Sequence, residues 1–353
     1  SLEMSLNKIL SLAASIIKST ILFFLIFFHS NISSEEMKQY NLDDQGVLSI
    51  MYHRFEENKY PSTNIRMNVF LEHIDAIKNN GFEFYDPKLF NEKFNEPKDN
   101  KKILLTIDDA FLSFYENAWP ILKKNEIPFI LFVSTEPIGK RGYMTWEQIK
   151  EIEKEKFAFI GNHSHTHEYL IKFSFADFKN DINESIEIFN ENLGYNPIFF
   201  SYPFGEYSLE QKNFIKKNFK YAFGQHSGVI DTTKDKYELP RFPINENYGK
   251  MERFNSIIKY LPLQYKSFKP KDKFVLIENN PPSVEIKFFD NQKNIKDINC
   301  FSNEGDNWGN PNISIDGDNI MKISFREKFT FRRGRLNCSL NEDGKWKWFG
   351  QQF

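Results

Sequence analysis

A chain of 353 residues is long enough for one large catalytic domain and a smaller companion, and it needs neither disulfides nor metals merely to stay folded. Lys and Arg number 46 against 48 Asp and Glu, a formal net charge of -2, which leaves no basic excess to serve a nucleic-acid backbone. Hydrophobic residues at 40% with charged residues at 27% exclude a disordered chain and a polytopic membrane protein, and two Cys exclude a disulfide scaffold or a four-cysteine zinc site.

At the amino end, Lys8 and Lys18 precede the unbroken apolar run from Ile21 to Phe28. Eight residues fall short of the roughly 20 that span a bilayer, so residues 1–34 are expected to be an export signal or, extended backward, a membrane anchor. Either reading places the folded part outside the cytoplasm. Then short apolar runs alternate with stretches of helical period as far as about residue 264. The expected strands are 47–52, 102–107, 128–134, 157–161 and 198–202; the expected helices are 69–79, 114–125, 145–154, 175–192, 209–218 and 251–260. Six or seven such units predict an α/β fold with a parallel barrel, spanning residues 35–265, and such barrels carry their chemistry at the carboxyl ends of strands. Residues 266–273 shift to a charged, Pro-containing linker. Beyond it, runs at 284–288, 313–315, 320–325 and 329–331, separated by Gly, Asn, Asp and Pro turns, predict a small all-β, sandwich-like domain over residues 266–353.

Two strand ends carry the chemistry. The first closes in Thr106-Ile107-Asp108-Asp109, adjacent carboxylates that serve one site only where the chain turns, because neighbours in a strand face opposite ways. A helix cap or a plain turn would use Asp equally well. The second runs into Asn162-His163-Ser164-His165-Thr166-His167, three of the seven His within five residues. Two of these imidazoles with one Asp would hold a metal and leave a position open for water. All three on one strand face, or a polar loop without metal, are the alternatives.

With Ser201-Tyr202-Pro203-Phe204-Gly205 closing a third strand, the ordered series resembles the motifs of the NodB-type polysaccharide deacetylases, carbohydrate esterase family 4. That resemblance implies a distorted (β/α)7 barrel. It implies Asp109, His163 and His167 as ligands of a divalent metal, most often Zn2+, and Asp108 as general base. Ser164 and Thr166 would orient the ligand loop, with Phe204 and Tyr202 lying toward the oxyanion and substrate. Two departures stand out: Ser201 occupies the place of an Arg that holds the catalytic Asp, and the late Leu-x-His motif that supplies the general acid is absent. Met51-Tyr52-His53-Arg54-Phe55 resembles the Tyr-His element of circularly permuted members acting on bacterial poly-N-acetylglucosamine, which would make His53 the acid. A His hydrogen-bonded at a strand end is the plainer reading, and His226 is a second candidate. Arg241 is placed either to replace the missing Arg beside Asp108 or in a structural salt bridge.

The expectation is therefore an exported, metal-dependent hydrolase that removes acetyl groups from a polysaccharide, with N-acetyl groups of an amino sugar polymer favoured. An O-acetyl esterase and an inactive carbohydrate-binding protein are the rivals. Trp308, Trp346 and Trp348 offer faces for sugar rings, although the alternation of Trp346 and Trp348 reads as core. Cys300 and Cys338 both fall in the β region, and an oxidising compartment predicts one disulfide between them.

Overall fold

Strands β1 (Val47–Tyr52), β2 (Glu83–Phe84), β3 (Lys102–Asp108), β4 (Phe129–Val133), β5 (Ala158–Asn162), β6 (Phe199–Ser201), β7 (Tyr221–Phe223) and β8 (Phe242–Pro243) form one parallel sheet in a computed structural model. It describes residues 44–353 except 306, 318 and 331, so the apolar amino-terminal run and Phe331 lie outside the described residues. The strand order is β8-β1-β3-β4-β5-β6-β7, with β2 paired to the first two residues of β3, and a parallel bridge from Phe223 to Leu239 ties the two ends together. This is the expected α/β barrel in distorted form. The helices follow the sequence signals: α1 (Met67–Asn79), α2 (Leu89–Lys93), α3 (Trp119–Lys124), α4 (Trp146–Glu153), α5 (Phe175–Leu193), α6 (Leu209–Asn218) and α7 (Met251–Ile257). Thr145 with Gln148 and Ser208 with Gln211 close capping boxes that start α4 and α6, and Gly194 in the left-handed region ends α5. The expected helix 114–125 is instead a π-helical turn, Phe114–Ala118, leading into α3.

Strand periodicity decides what faces the barrel interior. Leu48, Ile50 and Tyr52 of β1, Ile103, Leu105 and Ile107 of β3, and Phe129, Leu131 and Val133 of β4 join the helices in one buried cluster. The alternate residues Val47, Leu104, Ile130, Phe132, Phe199, Phe223 and Leu239 form a second cluster inside the sheet. The interior column of β3 therefore reads Leu104, Thr106, Asp108, and that of β6 reads Phe199, Ser201. Polar residues at the carboxyl ends of these columns are gathered over an aromatic floor.

Two four-stranded sheets follow. One is ordered β9 (Leu261–Pro262), β16 (Lys345–Gln352), β15 (Arg335–Glu342), β12 (Asn299–Ser302); the other is ordered β10 (Ser267–Lys269), β11 (Val284–Lys287), β14 (Ile320–Ser324), β13 (Asn312–Asp316). Val284, Ile286, Met321 and Ile323 from one sheet meet Cys300, Leu336, Cys338, Leu340 and Phe349 from the other in a single apolar core. The expected disulfide is present between Cys300 and Cys338, directly paired residues of β12 and β15. Three expectations need correcting. Residues 267–269, inside the expected linker, pair with β11 because Phe268 is buried while its charged and polar neighbours point outward. Phe329, expected in a strand, lies in a loop and packs on Phe325 and Phe353 with ring centroids 4.8 and 5.6 Å apart. Trp346 and Trp348 do share a face, but it points away from the sandwich core. Trp348 stacks on Tyr260 at 5.1 Å, whereas Trp346 and Trp308 are exposed.

The sandwich is seated on the barrel through named contacts. Ser227 Oγ donates to Asn337 Oδ1 and accepts from Trp348 Nε1, each at 2.8 Å. Gln352 Nε2 donates to the Phe204 carbonyl at 2.9 Å, beside the third motif.

Candidate active site

The chain leaves β3 through Asp109 and Ala110, both in the left-handed region with φ 79° and 55°. This turn breaks strand alternation and lets Asp108 and Asp109 face one site, the condition their sequence spacing demanded. β5 ends at Asn162, and His163 continues its interior column. Gly161 is required there, since a Cβ would lie 2.4 Å from the Phe132 ring. Ser164 (φ 74°) and His167 (φ 55°) then fold the loop back, so His163 and His167 meet with ring centroids 4.7 Å apart, without a helical turn.

The loop is held by groups from α5. Asp181 accepts from the amides of His165 and Thr166 at 2.9 and 3.1 Å and from Thr166 Oγ1 at 2.6 Å. Ser164 Oγ accepts from the His167 amide at 3.1 Å, and Asn162 Oδ1 from the Ser164 amide at 2.8 Å. Sequence reasoning missed Asp181, yet a signal exists: it lies on the buried stripe Phe178, Asp181, Ile182, Ser185, Phe189, where a carboxylate needs partners. His165 turns aside, to Thr135 Oγ1 at 2.8 Å and Glu184 at 3.3 Å.

Asp109 Oδ1 sits 3.4 Å from His163 Nε2 and 3.2 Å from His167 Nε2. One ligand atom from each of the three lies within 4.8 Å of the others. His163 Nδ1 donates to the Ser201 carbonyl at 2.7 Å, which leaves Nε2 as the free lone pair facing Asp109. Neither Asp109 Oδ1 nor His163 Nε2, both buried, has a hydrogen-bond partner among the described residues. Orphaned buried acceptors on one imidazole and one carboxylate, with the His167 ring converging on them, fit a divalent cation.

Behind this trio lies a fully buried ion pair. Arg241 Nη1 and Nη2 donate to the two oxygens of Asp108 at 2.7 and 2.9 Å, Nη2 also to Ser201 Oγ at 2.8 Å, and Nε to the Gly224 carbonyl at 2.8 Å. Burial pushes the Asp108 carboxyl up, but Arg241, then His163 and His53, outweigh it and hold the group below its usual range. Asp109 behaves alike, burial being outweighed by His167, His163 and His53. Ser201, the apparent departure, is the residue that accepts the guanidinium arriving from the β8 side.

His53 continues the interior column of β1 and sets Nε2 4.0 Å from Asp108 Oδ2, with Nδ1 buried and without a partner among the described residues. Burial lowers its pKa against the pull of Asp109 and Asp108. His226 does not join the site, because its Nε2 donates to the Glu238 carbonyl at 3.0 Å. Tyr202 also departs from expectation: one residue past Ser201, it faces outward, packs on Phe200 and Tyr207, and donates to the Tyr237 carbonyl at 3.1 Å. Its amide is bound to the Phe223 carbonyl as well. Phe204 (φ 58°) does reach the site, with its ring 4.9 Å from that of His167 and its amide without a partner among the described residues.

The polysaccharide deacetylase family model matches residues 95–222, a span that holds Asp108, Asp109, His163, His167, Tyr202 and Phe204. Over that span the chain is similar to the polysaccharide deacetylases. A poly-beta-1,6-N-acetyl-D-glucosamine N-deacetylase of Staphylococcus aureus is 24% identical over 274 residues, 69% of this chain and 91% of that protein. Among solved structures, the Streptococcus pyogenes deacetylase PplD in complex with acetate shares 23% identity with a TM-score of 0.55, covering 60% of this chain and 98% of that one. IcaB from Ammonifex degensii, also 23% identical, has a TM-score of 0.54 and covers 61% and 97%. These likenesses show the fold. His53 and Arg241 lie outside the matched span, so their parts rest on geometry.

Proposed function

We propose that the protein is a metal-dependent hydrolase that removes N-acetyl groups from an amino sugar polymer outside the cytoplasm. The observation that carries this reading is the convergence of Asp109, His163 and His167 beside a carboxylate, Asp108, clamped by a fully buried Arg241. The named relative from Staphylococcus aureus, a deacetylase of such a polymer, supports the substrate class. Asp109, His163 and His167 would hold the cation, zinc being suited to two imidazoles and a carboxylate. A divalent ion held there would lower the pKa of a bound water to about 7. Asp108, kept ionised by Arg241, is placed to take a proton as water adds to the acetyl carbonyl. The Phe204 amide, without a partner among the described residues, would donate to the developing oxyanion, and such a donor contributes on the order of 3 kcal/mol.

His53 completes the reaction by protonating the leaving amine, for which its buried position facing Asp108 is suited. The disulfide, the apolar amino-terminal run and the relative together support an envelope or exported location. No helix among the described residues is long and apolar enough to cross a membrane. The test is acetate release from N-acetylglucosamine oligomers, peptidoglycan and acetylated xylan by protein of measured metal content. Asp108→Asn should lower release by about 10² to 10⁴ while metal is retained. Unchanged release would remove Asp108 from the reaction, and release confined to xylan would make the protein an O-acetyl esterase.

A further inference from the structure

A cavity of about 160 Å³ opens between the barrel and the sandwich, lined among others by Glu206, Lys273, Phe329, Arg332, Arg333 and Gln352. It adjoins the candidate active site through Phe204: the Phe204 ring touches His167 on one side and lies 5.6 Å from the Arg333 guanidinium on the other. Two contacts in series are the reach of a neighbouring sugar on a polymer, not of a remote one.

The charges in this cavity do not balance. Arg332 is paired with Glu206 and lies over the Tyr169 ring at 3.5 Å, and Lys273 lies 3.7 Å from Glu238. Arg333 is exposed and has neither an ion pair nor a hydrogen bond among the described residues; its guanidinium lies over the Phe204 ring and within the field of Glu206, so the cavity wall presents two guanidinium groups to one carboxylate, Glu206. The loop that carries it is tied on either side of the arginines. The Phe329 amide donates to Asn280 Oδ1 and the Phe329 carbonyl accepts from Asn280 Nδ2, at 2.8 and 2.9 Å. Past the arginines, the Gly334 carbonyl accepts from the Phe353 amide at 2.8 Å, and a Cβ on Gly334 would lie 2.0 Å from the Phe329 ring. Arg333 itself is held at φ 60°, a cost a side chain accepts rarely and one that clusters at ligand sites. A guanidinium selects planar or tetrahedral anions, which its planar fork can grip with two bonds.

We propose that Arg333, supplied by the sandwich, forms a subsite for an anionic substituent, a carboxylate or phosphate, on the sugar next to the one being deacetylated. This rests on the deacetylase reading for its geometry, but its test does not depend on catalysis. Titration calorimetry on the full chain would compare three probes: chitotetraose, which is neutral; hyaluronan tetrasaccharide, which alternates glucuronate with N-acetylglucosamine; and an N-acetylglucosamine phosphodiester oligomer. At least one acidic probe should bind more tightly than chitotetraose, with the gap shrinking as salt rises. Arg333→Glu should weaken that probe by about tenfold or more and leave chitotetraose within about twofold, and Arg333→Lys should restore part of the loss. Which acidic probe responds separates carboxylate from phosphate. Equal binding of all three probes, no binding of any, or an acidic-probe affinity that survives Arg333→Glu would overturn the subsite. Absence of acetate release by the wild-type protein, with the binding contrast intact, would overturn the deacetylase reading alone.

Discussion

The carboxyl end of the barrel and the sandwich core are built on opposite terms. In the sandwich, alternating apolar residues from two sheets close on each other and on a disulfide. In the barrel end, Asp109 Oδ1, His163 Nε2 and His53 Nδ1 are buried without hydrogen-bond partners among the described residues. Of the ten non-glycine residues with positive φ among the described residues, five lie there: Asp109, Ala110, Ser164, His167 and Phe204. Such strain and unpaired polarity are tolerated only where surrounding structure imposes them. The contrast teaches that the site is an unstable arrangement held by Arg241 and Asp181 from behind, while the sandwich contributes stability and one face of the cleft.

The sharpest way to break that contrast is to empty the site. His163→Ala with His167→Ala should abolish stoichiometric metal and reduce acetate release by about 10³ or more, with some loss of apo-protein stability, because the buried His163 ring also gives up its bond to the Ser201 carbonyl. Elemental analysis and thermal melts check both halves; metal that persists would dissolve the ligand set. Loss of the support behind the site should act differently. Arg241→Met leaves Asp108 buried and unpaired and should cost about 3 to 5 kcal/mol in urea denaturation. Adding Asp108→Asn should recover much of that cost, and failure to recover would mean that Arg241 stabilises through Gly224 and Ser201 instead.

Most of this was legible in the sequence, and the reasons are local. The barrel helices carry their own periodicity, and α4, α5 and α6 their own caps, so five of the expected helices fall within a few residues of those observed. Asp108 and His163 follow apolar runs whose parity already points them inward, whereas Asp109 and His167 reach the candidate site through left-handed turns. Tyr202 was misjudged although the same parity was available: Ser201 faces in, so Tyr202 faces out. Arg241 was visible as a residue type but not as a partner, since 133 positions separate it from Asp108 and only barrel closure joins them. The sandwich was read less well. β15 and β16 alternate Arg, Asn, Ser, Lys and Gln with their apolar residues, and polar outward positions mask the pattern.

Removing the disulfide tests the other side of the contrast. With 38 positions between Cys300 and Cys338, the Ser double variant should lose roughly 4 kcal/mol in the chain-entropy model, read as an earlier unfolding midpoint in urea. Acetate release per folded molecule should not change, because the bridge lies within the sandwich core; a parallel loss of rate would show that the sandwich sets the geometry of the cleft as well as its wall.

The smallest expected effect joins the two regions through acid. His73 is buried on α1, where Nδ1 accepts from Tyr52 Oη at 2.9 Å, Nε2 donates to the Gly249 carbonyl at 2.6 Å, and the ring stacks on Phe254 at 3.7 Å. The neutral ring satisfies both bonds, whereas a second proton on Nδ1 would have no acceptor. Burial lowers its pKa from 6.5 to about 4. The folded state therefore refuses a proton that the unfolded state takes: stability is full above pH 6.5, falls between 6.5 and 4, and levels off below, a total of about 3 kcal/mol. His226, at the seam with the sandwich, is lowered to about 4 for the same reason and adds a similar slope. Urea midpoints taken from pH 7 to 4 should drop over that window, and His73→Gln should remove part of the slope. Because Tyr52 directly precedes His53, an unchanged slope in His73→Gln would mean that the acid sensitivity of the barrel originates at the site end and not behind it.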